Sequence, residues 1–142
     1  MKNIMPPLAL IALMLACLCG CTHYGPIDEE MGNEREWEEQ QYRAALEKAR
    51  QHRLGSRRNP VRAGSAREQH DYLSRLRCKG GRPPEYHYVR VEGELTPWGH
   101  GMDRYAVSCP RGQATTVFMD LHHPGHVEDQ AIKGLTLAPA PR

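Results

Sequence analysis

The pattern of apolar and polar positions divides the chain into an apolar N-terminal run, a polar helical region and a region of alternating residues. Residues 4–19 are almost wholly apolar. Residues 28–54 are rich in helix-favouring Glu, Gln, Ala, Arg and Lys, and contain no Gly or Pro after Gly32. They predict a polar helix that projects from the core or frays, because its apolar stripe is narrow. The stripe consists of Tyr42, Ala45, Leu46 and Ala49, with Trp37 to one side.

A shorter amphipathic helix is predicted to follow a break at residues 55–64. This segment, GSRRNPVRAG, combines Gly, Pro and Arg and predicts a flexible basic linker. Ser65 then supplies an N-cap, and Glu68 follows at the spacing of a capping box. The next turns indicate a helix that contributes to the core. The positions at helical spacing are Ala66, His70, Leu73 and Leu76.

Alternation with a period of two replaces the helical spacing after Pro84. It predicts strands at residues 86–95, 105–109 and 115–121, and residues 131–137 could add an edge strand. The fold class predicted is α+β: a small three-stranded antiparallel meander packed by one short helix and preceded by the polar N-terminal helix. On the first strand, the face predicted to be buried carries His87, Val89, Val91 and Leu95.

The apolar N-terminal run ends in Leu18-Cys19-Gly20-Cys21, which resembles the lipobox of bacterial lipoproteins. Residues 8–19 are too short to cross a hydrocarbon core of about 30 Å as a helix, so the run is typical of a cleaved signal. The resemblance implies that Cys21 is lipidated and becomes the first residue of the mature protein. Two or three acyl chains anchor a protein stably, because each buried CH₂ contributes about 0.8 kcal/mol.

Two other cysteines compete with Cys21 as the lipidated residue. Cys17 has Met14 at the −3 position, and Cys19 has Leu18 at the −1 position, where a small residue is needed. Both therefore match the lipobox less well than Cys21 does. The remaining alternative is an ordinary secretory signal with incidental cysteines.

The cysteine count supports one disulfide in the mature chain. There are five cysteines, of which cleavage removes Cys17 and Cys19 and lipidation uses Cys21. The even remainder in an exported protein predicts a bridge between Cys78 and Cys109, with a pair of buried free thiols as the alternative. With 39% hydrophobic residues and a single Phe, the chain can build only a small core, so a bridge would matter to its stability.

These features predict three parts in the chain. A signal peptide covers residues 1–20, a lipid-anchored tether with the polar helix and the basic linker covers 21–64, and a small disulfide-bridged domain with a flexible tail covers 65–142. The residue after Cys21 is Thr22 rather than Asp. In lipoproteins of two-membrane bacteria, which the lipobox resembles, this favours an outer-membrane anchor, with the protein facing the periplasm.

The densest group of potential metal ligands is His122, His123 and His126, with carboxylates at positions 120, 128 and 129 nearby. Imidazole suits Zn²⁺, Cu²⁺ and Ni²⁺, and carboxylates can complete the coordination. Pro124 and Gly125 interrupt the segment, so the histidines do not share a regular face. A hydrophilic turn is the simpler interpretation, and we expect no cofactor.

Two exposed features indicate binding surfaces. Trp98 is predicted at a hairpin tip, where it either anchors a partner or folds back over the core. The basic stretch of residues 50–67 either contacts anionic lipids and wall polymers or serves as a spacer that charge repulsion keeps extended. Its candidate binding residues are Arg53, Arg57, Arg58 and Arg62.

The function predicted is that of an outer-membrane-type lipoprotein that acts as a binding or assembly accessory in the envelope. Its partners would be the membrane, through the lipid anchor, and an envelope protein or anionic polymer; nucleic acid is not expected there. No serine, cysteine or carboxylate pair has a catalytic spacing, so the chain is predicted not to be an enzyme. The alternatives are a His-based periplasmic metal-binding lipoprotein and, less favoured, an envelope enzyme.

We predict that Cys21→Ser abolishes metabolic labelling of the protein by radioactive palmitate and leaves it unprocessed, because the lipid-bearing thiol is gone. Cys17→Ser is the matched control and should be labelled like the wild type. Labelling that survives Cys21→Ser but is lost in Cys17→Ser would move the lipidation site.

Overall fold

The computed structural model describes residues 27–90 and 93–140, with side chains from residue 34 onward. The lipobox, Cys21 and the tether up to residue 26 lie outside the described residues. The chain divides into two compact units, residues 1–38 and 39–142, and both sheets belong to the second. Within the described ranges, no helix combines the length and the apolar character that a bilayer span requires.

The described residues form two helices and six strands, and the strands form two sheets. The helices are α1 (Ile27–Arg50) and α2 (Ala66–Arg75). The strands are β1 (Val61–Arg62), β2 (Leu76–Arg77), β3 (Glu85–Tyr88), β4 (Asp103–Ser108), β5 (Thr115–Asp120) and β6 (Thr136–Leu137). A four-stranded sheet has the order β1-β5-β4-β3, and β2 and β6 form a separate antiparallel pair.

The α+β class is confirmed, but the sheet is not the antiparallel meander that the alternation predicted. Strands β3, β4 and β5 do pair antiparallel, while β1 adds a parallel strand beside β5 and makes the sheet mixed. Residues 131–137 also differ from expectation, since β6 pairs with β2 and not with an edge of this sheet. The extra strand has only two residues, which is too short to show a period in the sequence.

The segment 55–64 is part of the folded unit and not the flexible linker that its composition predicted. Val61 lies opposite Met119 in the parallel pair and is fully buried, and Ala63 is buried too. Gly55 accepts a hydrogen bond from the backbone N–H of Phe118 through its carbonyl oxygen, at 2.9 Å. The boundary expected after residue 64 therefore does not separate a tether from a domain.

Helix α1 is polar, as predicted, and ends at Arg50. Its part within the second unit does not simply project into solvent, because Ala49 is buried and the Tyr42 hydroxyl lies 2.9 Å from Nδ1 of His123. Trp37, which belongs to the first unit, is exposed. The narrow apolar stripe is thus used for packing along residues 42–49.

Helix α2 begins where the capping residues predicted. The Ser65 hydroxyl accepts a hydrogen bond from the backbone N–H of Glu68 at 3.2 Å. The Glu68 carboxylate reaches back to the backbone N–H of Gly64 at 2.6 Å, one residue earlier than in a standard capping box. Leu73 and Leu76 are fully buried as expected, whereas Ala66 and His70 are exposed.

One cluster of buried side chains joins α2 to one face of the sheet. It consists of Val61, Tyr72, Leu73, Leu76, Tyr105, Val107, Val117, Met119 and Ile132. The predicted buried face of the first strand was wrong: His87 and Leu95 are exposed, and Tyr86 packs against the cluster. The register explains this, because Tyr86 lies opposite Val107 and paired residues share a face. Val91 lies outside the described residues.

The structure joins Cys78 and Cys109 in a disulfide with a Cα–Cα distance of 5.8 Å, in agreement with the pairing that the cysteine count predicted. Cys78 follows β2 directly, and Cys109 follows β4. The bridge therefore ties the end of the α2–β2 segment to a central strand of the larger sheet.

We predict that the double substitution Cys78→Ser and Cys109→Ser lowers the free energy of unfolding by about 3–4 kcal/mol, because the bridge restricts the unfolded chain. Urea unfolding followed by circular dichroism measures this. Treating the wild type with a reductant should give a similar loss. Unchanged stability in both experiments would contradict a stabilising bridge.

Tyr72 should make the stability depend on pH above about 10. Burial, followed by the charge of Glu128, raises the pKa of the Tyr72 hydroxyl above its usual value. Above pH 10 the unfolded state then loses this proton while the folded state retains it, so stability is full below pH 10 and falls as the pH rises. Tyr72→Phe should reduce this loss of stability at high pH. At neutral pH it should lower the free energy of unfolding by about 1 kcal/mol, because it removes the hydrogen bond from the Tyr72 hydroxyl to the carbonyl oxygen of Gln130.

Urea unfolding at pH 7, 10 and 11 measures both effects, with the exposed Tyr88→Phe as the control. The Tyr72 variant should lose less stability between pH 7 and 11 than the wild type does. Equal losses in the wild type and in Tyr72→Phe would contradict the role of this hydroxyl.

Candidate metal centre

A buried carboxylate at the end of β5 organises the candidate site. Val117 and Met119 face the core, so the alternation of the strand directs Asp120 to the opposite face of the sheet. Its side chain is nevertheless completely inaccessible to solvent. A fully buried carboxylate is costly unless it is surrounded by donors, so the surroundings of Asp120 must supply them.

Backbone hydrogen bonds hold the chain after β5 beside the end of β1. The backbone N–H of Ala63 donates to the carbonyl oxygen of Asp120 at 2.8 Å. The backbone N–H of His123 donates to the carbonyl oxygen of Ala63 at 3.0 Å. These two bonds place His122 and His123 next to the carboxylate, and they depend on the strand that sequence reasoning missed.

Two imidazoles contact the two oxygens of this carboxylate. Nδ1 of His100 lies 3.0 Å from Oδ2 of Asp120, and Nδ1 of His122 lies 3.0 Å from Oδ1. Oδ1 also accepts the backbone N–H of His122 at 2.9 Å. Because an ionised carboxylate can only accept, both Nδ1 atoms carry the proton in these bonds. In the neutral form of each ring, the Nε2 atom then carries the lone pair.

The polar groups around Asp120 keep it ionised. Burial alone raises the pKa of this carboxyl group, but the surrounding donors outweigh burial and hold the pKa well below its usual range. These donors belong to His123, His122, Thr96 and His100. The site therefore contains a fixed negative charge at neutral pH.

A third imidazole, that of His123, forms the inner wall of the site. Its side chain is only 4% exposed, and its Nε2 atom lies 3.2 Å from Oδ2 of Asp120. This contact is the strongest of those that lower the pKa of Asp120, although its angle departs from ideal hydrogen-bond geometry. The edge of Trp98 packs on the ring at a centroid distance of 4.9 Å, and Tyr42 contacts Nδ1 from α1.

The first two imidazoles remain accessible to an ion from solvent. The side chains of His100 and His122 are 35% and 48% exposed, and their ring centroids lie 4.8 Å apart. Potential ligand atoms of His100, Asp120 and His122 all lie within 4.8 Å of one another. Imidazole nitrogen and carboxylate oxygen form the donor set of many Zn²⁺ and Cu²⁺ sites.

The structure brings together two of the three histidines that the sequence singled out. His122 and His123 lie at Asp120, but Nε2 of His126 lies 3.4 Å from Oε2 of Glu128 in a different pocket. Gly125, with φ of +79°, turns the chain between them, as the Pro-Gly break had indicated. His126 is therefore not part of the candidate centre.

Sequence reasoning missed His100, which lies twenty positions before Asp120. Its position follows from the register: Asp103 pairs with Met119, so the turn that precedes β4 must lie beside the end of β5. Aligning the two predicted strands in this register would have placed His100 next to Asp120.

The other candidate residues are placed differently from expectation. Trp98 folds back onto His123, which leaves it only partly exposed and excludes a free anchor at the hairpin tip. Arg57 pairs with Glu94 and lies over the ring of Phe118. Arg62 lines the pocket of His126 and Glu128. Arg53 and Arg58 line a groove to which Arg57 and Phe118 also contribute.

Comparison with known proteins identifies no relative of this chain. No protein-family model matches it, and no match was found among curated proteins or solved structures. Its function is therefore argued from the geometry of its own residues.

Proposed function

We propose that this protein is a lipid-anchored envelope protein that binds a divalent transition-metal ion at His100 and His122, which Asp120 orients. The observation that carries the proposal is the convergence of two accessible imidazoles on one fully buried, ionised carboxylate. The sequence alone favoured an unspecified binding or assembly function. The addition of His100 to the group around Asp120 supports metal binding as the more specific function.

The hydrogen bonds favour a particular division of labour among these residues. Metal-binding histidines commonly donate their second N–H to a carboxylate, which orients the ring and increases its basicity. Nδ1 of His100 and Nδ1 of His122 both have this bond to Asp120. We therefore expect the ion at the two Nε2 atoms, with Asp120 as the shared orienting group and water completing the coordination.

The chemistry of the donors selects the class of ion. Two neutral imidazoles suit Zn²⁺, Cu²⁺ and Ni²⁺, whereas Mg²⁺ and Ca²⁺ prefer sites built mainly from oxygen. The negative charge of Asp120 favours any cation, and the surrounding Trp98 and His123 lower the local exposure to water. Zn²⁺ is the appropriate first probe because it has no redox chemistry.

Export to an oxidising compartment and a membrane anchor remain part of the proposal. The lipobox-like segment supports the anchor, and the Cys78–Cys109 disulfide is typical of exported proteins. An anchor at Cys21 would hold the metal site at the membrane surface. We propose binding without catalysis, since both described cysteines are bridged and no serine among the described residues bonds to a histidine side chain.

We predict that the full chain in a nonionic detergent binds Zn²⁺ and that His100→Ala and His122→Ala each weaken the affinity at least tenfold. Isothermal titration calorimetry measures the affinity. Asp120→Asn should weaken it by about 10–100-fold, the usual effect of losing an orienting carboxylate. His87→Ala is the matched control, because this histidine is exposed on β3 and lies outside the cluster.

Circular dichroism identifies any variant that fails to fold, and only folded variants are compared. Zn²⁺ affinities that are equal in the wild type, in His100→Ala and in His122→Ala would contradict the proposed site. Loss of binding in His87→Ala alone would place the site elsewhere.

A further inference from the structure

A basic groove lies beside Phe118, on the sheet face opposite α2, and none of the residues of the Asp120 cluster lines it. It has a volume of about 630 Å³, and Thr116 and Phe118 form its floor from β5. The other lining residues are His52, Arg53, Ser56, Arg57, Arg58 and Thr115. A second groove of about 640 Å³ shares His52 and Arg58 and adds Lys48 from α1. Neither groove is lined by Asp or Glu, so the two form one positively charged surface.

Three basic side chains on this surface have no acidic partner among the described residues. Arg53, Arg58 and Lys48 form no ion pair with any residue that the structure describes. Arg57 is different, because it pairs with Glu94 and lies 5.3 Å from the centre of the Phe118 ring. Arg57 is thus held at the side of the groove by its own contacts, whereas the other three basic side chains remain available to an external anion.

The turn that carries Arg53 and Arg58 packs closely against the core. Gly55 has φ of +80°, and a Cβ atom there would lie 2.8 Å from Cγ2 of Ile132, so the turn packs tightly on the core. Asn59 closes the turn by donating from its side chain to the carbonyl oxygen of His52 at 2.9 Å. Ser56 also lines the groove, and its buried hydroxyl has no hydrogen-bond partner among the described residues.

Guanidinium groups and hydroxyls together are the usual donors for phosphate, because the arginine fork matches two phosphate oxygens. We propose that the basic groove binds the phosphate group of an anionic phospholipid headgroup. The second groove favours a lipid over free phosphate, since small apolar residues lie beside the cations and suit the glycerol and first acyl carbons. These residues are Ala44, Ala45, Ala49 and Pro97.

This proposal is independent of the metal site, because the Asp120 cluster contributes no residue to either groove. It also revises the set of arginines that the sequence indicated. Arg62 lines another pocket and Arg57 is already paired, so Arg53 and Arg58 are joined instead by Lys48 and His52.

The test uses the full chain in a nonionic detergent with EDTA present. It is titrated with dihexanoyl phosphatidylglycerol below the micelle concentration of that lipid, and binding is followed by NMR. Dihexanoyl phosphatidylcholine and inorganic phosphate are the comparison ligands. The groove variant is Arg53→Gln with Arg58→Gln. The control variant, Arg67→Gln with Arg82→Gln, loses the same charge from exposed positions outside both grooves.

We expect the groove variant to bind phosphatidylglycerol at least tenfold more weakly than the wild type, and the control variant to stay within twofold. Phosphatidylcholine and inorganic phosphate should both bind more weakly than phosphatidylglycerol. Equal affinity of the wild type and the groove variant would overturn the site, as would equal binding of phosphatidylcholine. Tighter binding of inorganic phosphate would overturn the lipid as its ligand. Asp120→Asn should retain lipid binding. A failure of the metal proposal can therefore be distinguished from a failure of the lipid proposal.

Discussion

The buried carboxylate of Asp120 determines which segments cover the sheet face opposite α2, because it must be surrounded by hydrogen-bond donors. Asp120 is fully buried and ionised, and an isolated carboxylate in such a position would be strongly destabilising. Its hydrogen bonds come from His100, in the turn before β4, and from His122, in the segment that follows β5. Each of these segments is therefore fixed by the same carboxylate, and together they form the candidate metal centre.

The same arrangement explains how the two accessible imidazoles are held in place and can still bind an ion. The hydrogen bonds to Asp120 occupy one nitrogen of each accessible imidazole and leave the other free. His123 adds a buried imidazole whose Nε2 atom lies 3.2 Å from Oδ2 of Asp120 and helps to hold that carboxylate ionised.

The hydrophobic core lies on the other face of the sheet and holds the strands that carry the site. Side chains of α2 bury Val117 and Met119, the two residues that alternate with Phe118 and Asp120. The Cys78–Cys109 bridge ties the segment after α2 to the sheet from the side. One face therefore provides stability, while the opposite face presents both the metal centre and the basic groove.

Local patterns predicted the elements that depend on neighbouring residues. Ser65 and Glu68 correctly marked the start of α2, and alternation marked β4 and β5. The strand β1 escaped detection because Val61 pairs with a residue far along the chain and only two residues take part. Its absence from the prediction made residues 55–64 look like a linker.

The candidate site was predictable only in part, for the same physical reason. His122 and His123 adjoin Asp120 in the sequence, whereas His100 reaches it through the register of two strands. His126 was included because it is near in the sequence, but the turn at Gly125 directs it to Glu128. Proximity along the chain therefore identified Asp120 and His122, and tertiary pairing added His100.

The most direct test of the central claim is the NMR spectrum of the histidine ring nitrogens, recorded before and after addition of one equivalent of Zn²⁺. The account predicts that Nε2 of His100 and Nε2 of His122 shift together at one equivalent, while the ring nitrogens of the exposed His87 do not change. It also predicts that both Nδ1 atoms remain protonated and bonded to Asp120. Ring nitrogens of His100 and His122 that are unaffected by Zn²⁺ would contradict the metal centre.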